Sequence, residues 1–407
     1  MSTAELRPVG RQPLMSGPLA DAWRRRALVT VVCLIPLTFV GVSIGGFNIS
    51  GLAWVAGLLV VAPLVVLDSV DASVLRRALP YLVFVFFAAL SIGVAPLPQV
   101  AVASTVQMTA PLPAFLLASR IQDIDRFLDR AATAAQGAIG LAALLTVATT
   151  AGALPGTALS ARPMAISLVV LFVIASLRLS PARAYLLGGV ALTLSVATGG
   201  RTSSAVLLMV LVLSPALRLR WRGRIALAGL GLVAVVLASQ TAAFQERFFF
   251  GAQGTLTDAL TGSEVLNTAG RRELWPRLLD ECSTSPILGG GIGTGTVLSN
   301  ELTLGVLGQP HNDYLKTYCD VGLLGAVPFW LFFVGAGLSG VALARRGEPL
   351  GQASSSLVLA LLVLAVTDNP VIYTAHFMVP LAVVLGLAAR GPRSSVRPSQ
   401  SRVLPES

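Results

Sequence analysis

Apolar runs of 14–23 residues recur along the whole 407-residue chain, the longer of them enough to cross about 30 Å of hydrocarbon. The runs fall near 27–44, 50–67, 79–95, 100–119, 131–151, 163–177, 184–197, 202–217, 225–243, 322–344, 355–372 and 376–389. Lipid offers no partner to a bare peptide group, so such runs must be helices that satisfy their own backbones. Only 12% of the residues are charged, against about 25% in a soluble domain. The expectation is an all-α polytopic membrane protein with about 12 transmembrane helices.

The placement of charge orients these helices. The formal net charge of +10 is no nucleic-acid signature, because the basic residues sit in short clusters between apolar runs. With the N-terminus in the cytoplasm, alternate intervals collect 22 of the 29 basic residues. The other seven, Arg162, Arg201, Arg247, Arg271, Arg272, Arg277 and Lys316, fall outside. One missed or invented span would invert the rest of this pattern. It predicts a plasma-membrane protein with both termini cytoplasmic: a disordered tail over 1–22, nine spans over 23–243, an extracytoplasmic loop over 244–313, three spans over 314–390 and a second tail over 391–407. Arg24-Arg25-Arg26 is expected just before the first span, which is read as retained and not as a removed signal peptide.

The stretch from Ala243 to Gly325 is the only long polar interval. It holds Gly270-Arg271-Arg272-Glu273-Leu274-Trp275, the cluster Gly289-Gly290-Gly291-Ile292-Gly293-Thr294-Gly295, and His311-Asn312-Asp313-Tyr314-Leu315. Residues 271–282 carry Leu274, Trp275, Leu278 and Leu279 at helical spacing, which suits a short interfacial helix. Phe248-Phe249-Phe250 is expected in the same boundary layer.

Several of these residues can carry chemistry. Arg201, after Gly199-Gly200, is a cation on the side that the positive-inside bias avoids; it either faces a cavity with a partner or snorkels at a helix end. Arg271 and Arg272 have forks that match phosphate oxygens, and anchoring to lipid headgroups is the plainer alternative. The glycine cluster lacks the strand–turn–helix setting of a nucleotide loop. It is either a loop approaching a substrate or a tight re-entrant turn. His311 can take a proton from a hydroxyl, or can simply be satisfied by a carbonyl. His376 and Asp368-Asn369 can line the same cavity, and Asp320 can orient a neighbour. Cys282 and Cys319 are read as inert thiols, able to meet only in an oxidising compartment. No external Asp-x-Asp offers a metal site; Asp123-Ile124-Asp125 reads as a charged cytoplasmic linker.

Taken together, Gly200-Arg201-Thr202, Gly270-Arg271…Trp275, Pro286-Ile287-Leu288-Gly289…Gly291…Gly293, His311-Asn312-x-Tyr314-Leu315 and Gly322-Leu323-Leu324-Gly325 resemble the O-antigen ligase and polymerase superfamily. The detailed likeness spans about 195–330. Asp320 departs from the pattern, standing where a glutamate is more usual. The resemblance implies a GT-C-like, metal-independent, inverting glycosyltransferase without cofactor, acting on a polyprenyl-diphosphate-linked glycan. It would transfer or polymerise that glycan onto a glycan, lipid or other hydroxyl acceptor, ligase versus polymerase being open. By the same resemblance Arg201 and Arg271 contact phosphate and His311 is catalytic. Arg272, Gly291, Gly293, Asn312, Tyr314, Asp320 and His376 are the further candidates for substrate contact. The rival readings are a transporter or flippase for an anionic lipid-linked substrate, and a non-catalytic scaffold. Clustering of the polar residues at one face disfavours a midplane transport site.

Overall fold

The computed structural model describes residues 17–39, 43–44, 47–48, 71–155, 159–213, 225, 229, 233, 240 and 270–390. The expected run at 50–67, nearly all of 225–243, Phe248–Phe250 and the residues of both tails outside 17–22 lie outside the described residues.

The described chain is helical except for one antiparallel pair, β1 (Ser43–Ile44) and β2 (Phe47–Asn48). The helices are α1 (Pro18–Leu34), α2 (Ala72–Ser91), α3 (Pro98–Thr109), α4 (Pro111–Ala118), α5 (Ile124–Thr150), α6 (Ala161–Ser176), α7 (Pro181–Ala197) and α8 (Arg201–Leu213). After the gap come α9 (Arg271–Cys282), α10 (Thr294–Leu302), α11 (Asp313–Arg345), α12 (Pro349–Thr367) and α13 (Val379–Ala388), the last preceded by a π turn at Thr374–Met378. Five stretches are long and apolar enough to cross a membrane: Ala72–Val94, Pro98–Ala118, Ile124–Thr150, Asp313–Arg345 and Pro349–Thr367. Four shorter helical stretches, Ala161–Ser176, Pro181–Ala197, Arg201–Leu213 and Thr374–Ala388, are also apolar.

Local chemistry sets the helix starts. Proline stands in the first turn of α1, α3, α4, α7, α12 and α13, where its missing N–H leaves no bond unmade. Asp71 caps α2 through Ser73 N at 2.7 Å, and Asp123 caps α5 through Arg126 N at 3.1 Å. From Met164 onward α6 is buried on every side, and so is α13 throughout. A helix apolar all round belongs in the middle of a bundle. The one charged residue of α6 is Arg162, at its start. Between α11 and α12 the approach is close because Gly340 faces Ser354 and Gly351 faces Ala344.

Two boundaries differ from expectation. The first helix runs over Pro18–Leu34, so Arg24 and Arg25 lie inside it and are buried. The helix tolerates Arg25 because Asp21 at 3.0 Å and Asp123 at 2.8 Å neutralise it. The expected span at 322–344 begins nine residues earlier, at Asp313, and breaks at Gly322 (φ 58, ψ −167). The backbone N–H groups of Leu323 and Leu324 donate instead to the Pro286 and Ile287 carbonyls, at 2.9 and 3.1 Å. Proximity at this break explains Gly289, where a Cβ would sit 2.5 Å from the Gly322 nitrogen.

Contacts between connections respect the charge pattern. Arg25–Asp123, Arg178–Asp125, Arg77 with the Ala389 carbonyl and Arg390 with the Ile121 carbonyl gather at one end. Ser160 with Phe39, Ile292 with Ser91, and Thr202 with Thr367 gather at the other. The second end holds the candidate site.

Candidate active site

The site is built on the turn that leads into α11. Pro310 is buried and His311 takes a left-handed φ of 53. For a non-glycine residue that conformation costs on the order of 1–3 kcal/mol and persists only where surroundings enforce it. Two neighbours do so. Asn312 caps α11, its Oδ1 accepting from Leu315 N at 3.0 Å. Trp275 of α9 donates its indole N–H to the Pro310 carbonyl at 2.8 Å. Arg271 is one helical turn before Trp275, on the same face of α9, so the helix that clamps the turn also delivers a guanidinium to it. Gly270 (φ 76) opens α9 in the left-handed conformation a glycine adopts at no steric penalty.

On the other side of the ring, α12 ends at Asp368 and the chain turns back. Asn369 Nδ2 lies 2.9 Å from His311 Nδ1. Val371 N donates to Asp313 Oδ2 at 2.8 Å, tying this turn to the first residue of α11. Arg162, from the start of α6, completes the ring of neighbours. Its Nη1 is 3.4 Å from His311 Nδ1 and 3.3 Å from Nε2, and its Nε is 3.8 Å from Asp368 Oδ1.

The electrostatics follow. Burial first, then the Arg162 and Arg271 cations, push the His311 imidazole down to about 3. The ring is therefore neutral at physiological pH. Burial and the neighbouring Arg162 lower Arg271 as well, with Asp368 opposing them. Arg271 Nε is buried without a hydrogen-bond partner. Asp368 and Asp313 are buried while Arg162 is half-exposed, so a ligand entering here meets cations first.

Several other expected site residues also have partners within the fold. Asn312 is spent on its cap. Tyr314 donates to the Leu362 carbonyl at 2.9 Å and stacks on Trp330 with ring centres 4.2 Å apart. Asp320 is wholly buried, accepting from Gly295 N at 2.8 Å and pairing with Lys316. Gly291 (φ 99) and Gly293 (φ 95) face protein: a Cβ on Gly291 would lie 2.5 Å from Ala95 Cα, and one on Gly293 2.9 Å from Val100 Cγ1. The cluster is thus the tight turn of the two expected alternatives. Arg272 is exposed. His376 is buried edge-on to Tyr373, at 5.6 Å, and reaches the site through that residue, which lies beside Arg162. Arg201 stands at the first position of α8; its neighbour Thr202 bonds Thr367, 2.8 Å away and directly before Asp368. The start of α8 therefore lies against the end of α12.

The expectation of inert thiols is overturned: Cys282 and Cys319 form a disulfide. Both are buried together with Leu274 and Leu278, joining the end of α9 to α11. Arg162 is the residue that the motifs missed. Its signal was present in the charge pattern, as one of the seven basic residues on the uncommon side.

Residues 184–330 match the O-antigen ligase family. This segment is similar to the O-antigen ligase domain. No curated protein matches the chain. The matched segment contains Arg201, Arg271, His311 and the disulfide, whereas Arg162, Asp368 and Asn369 come from outside it. The match supports a membrane protein of glycosyltransferase type with lipid-linked glycan substrates.

Proposed function

We propose that the protein is a metal-independent, inverting glycosyltransferase of the cell membrane. It moves a glycan from a polyprenyl diphosphate to an acceptor hydroxyl on the extracytoplasmic face. The observation that carries this reading is a neutral imidazole, His311, in a segment similar to O-antigen ligases, with the Arg162 guanidinium against it and the Arg271 cation close enough to act on it. Twelve spans in a GT-C-like arrangement would house the lipid tail.

In the proposed reaction Arg271, together with Arg201, binds the diphosphate and neutralises the charge that grows on it. His311 takes the proton of the acceptor O–H. The freed oxygen pair attacks the anomeric carbon from the face opposite the diphosphate. The bond from that carbon to the phosphate oxygen breaks, its electron pair leaving with the polyprenyl diphosphate. The imidazolium then releases its proton to water. A disulfide beside the site supports an oxidising, extracytoplasmic location.

The test uses protein reconstituted in lipid with a synthetic polyprenyl-diphosphate oligosaccharide and a hydroxyl acceptor. Wild type releases polyprenyl diphosphate. His311→Ala slows release about 10²–10⁴-fold, the usual range for a lost general base, and still binds donor. Arg271→Ala weakens donor binding. Normal turnover by His311→Ala removes the assigned base, and donor left unconsumed by wild type with every acceptor removes the transferase reading.

A further inference from the structure

The position of Arg162 is odd for an ordinary hydrogen bond. The lone pairs of an imidazole diverge in the ring plane, yet Nη1 stands almost equally far from both nitrogens, at 3.4 and 3.3 Å. A donor so placed points along neither lone pair. The guanidinium rests against the ring as a cation. Its contact with Asp368 is no firmer, since Oδ1 is 3.8 Å from Nε, beyond hydrogen-bond length, which leaves the Tyr373 hydroxyl as its hydrogen-bonding anchor. The Arg162 side chain is 45% exposed and hence has room to swing. Arg271 meanwhile holds an unpartnered buried Nε. One guanidinium thus rests on the imidazole, and a second, with a donor to spare, acts on it through its charge.

The remaining groups around His311 do not remove this field. Asn369 is neutral, Tyr373 is a phenol beside Arg162, and Asp368 is shared between Arg162 and Arg271. Asp313, on the same element, is engaged by Val371 N.

We propose that Arg162 is a further phosphate-binding cation of the donor site, and that a diphosphate drawing it off the imidazole converts His311 from an inert ring into a working base. This rests on the donor reading given above. A base is efficient when its pKa lies near the working pH, and an imidazole at about 3 is far from that. A bound diphosphate cancels the two guanidinium fields and adds an attraction of its own for imidazolium. The acceptor is then deprotonated only after the donor is seated, and Arg162 acts as a positioning residue for the base as well as a ligand for the phosphate.

The chain has two histidines, so a His376→Gln background with labelled imidazole leaves one ring to follow by NMR. The full-length protein in lipid nanodiscs is titrated with and without methylene diphosphonate, whose own binding is read by phosphorus NMR. Without the probe, His311 stays neutral down to about pH 5. Saturating diphosphonate raises its midpoint by more than about one pH unit. Arg162→Gln raises the midpoint of the unliganded ring and shrinks the further rise on binding. Arg162→Lys, which keeps the charge, leaves the unliganded ring depressed and serves as the folding control. Saturable diphosphonate binding that is lost in Arg271→Ala, together with identical His311 titrations in wild type and Arg162→Gln, overturns the switch and leaves the donor site standing. Absence of saturable binding to wild type overturns the donor site itself.

Discussion

Trp275 and Pro310 are joined by a 2.8 Å hydrogen bond from the indole N–H to the proline carbonyl, and this bond couples the helix of Arg271 to the turn of His311. The strained φ of His311 begins one residue later. Trp275→Phe keeps the apolar packing against Leu274 and Leu278 but frees the turn. A lost hydrogen bond of this kind is worth about 1 kcal/mol of stability, while misplacing a catalytic group by about 1 Å can cost about 10²-fold in rate. The expected outcome is a nearly unchanged melting temperature with kcat reduced at least about tenfold. Equal losses in stability and rate would make the bond a structural one only.

The disulfide between Cys282 and Cys319 closes a loop with a sequence separation of 37 and ties α9 to α11. Loops of this size contribute about 2–4 kcal/mol. Reduction, or the Cys282→Ser/Cys319→Ser pair, is expected to loosen α9 first, because its remaining anchors are few. Hydrogen exchange over 271–282 should accelerate and donor affinity should fall, while exchange in α6 and α13 stays slow. Uniform acceleration across the whole protein contradicts a local role.

Much of this was legible in the sequence. Apolar runs must become helices in lipid, so α2, α5, α7 and α12 follow from hydropathy alone. Arg271 and His311 stood out because cations and imidazole are rare outside the positive-inside intervals. Arg162 was hidden, for a lone arginine at the start of an apolar helix reads the same whether it snorkels or faces a cavity. Asn312, Tyr314 and Asp320 carry a second role that motifs do not show: three-dimensional partners make them a cap, a packing ring and a buried clamp. The disulfide joins residues on different helices, which spacing cannot reveal.

The glycines divide by what surrounds them. Gly291→Ala puts a methyl into the backbone of Ala95 at a positive φ, and Gly322→Ala does the same against the Ile287 carbonyl. Strain and overlap together should cost about 2 kcal/mol or more, seen as lower melting temperature and yield. Gly308→Ala meets open space and is expected within about 0.5 kcal/mol of wild type. Stable Gly291→Ala protein with weakened donor binding would instead return that glycine to the substrate site.

Asn369 decides which ring nitrogen of His311 is free. With Nδ2 toward Nδ1, as at 2.9 Å here, the amide donates and the ring proton sits on Nε2. In that arrangement Asn369 Oδ1 is buried without a partner. Turning the amide presents the oxygen, which accepts from Nδ1–H and leaves the Nε2 lone pair free to take a proton. Asn369→Asp can only accept when ionised, so it fixes the second tautomer and, as a neighbouring anion, raises the imidazole pKa. The base works only when deprotonated; a higher pKa therefore moves the acid limb of the kcat/KM profile to higher pH, with activity preserved above it. Asn369→Leu, of similar size, supports neither tautomer and should lower kcat about 10–100-fold without unfolding the protein. An Asn369→Asp enzyme as inactive as Asn369→Leu at every pH would show that the amide must donate, and His311 would then have to work through Nδ1.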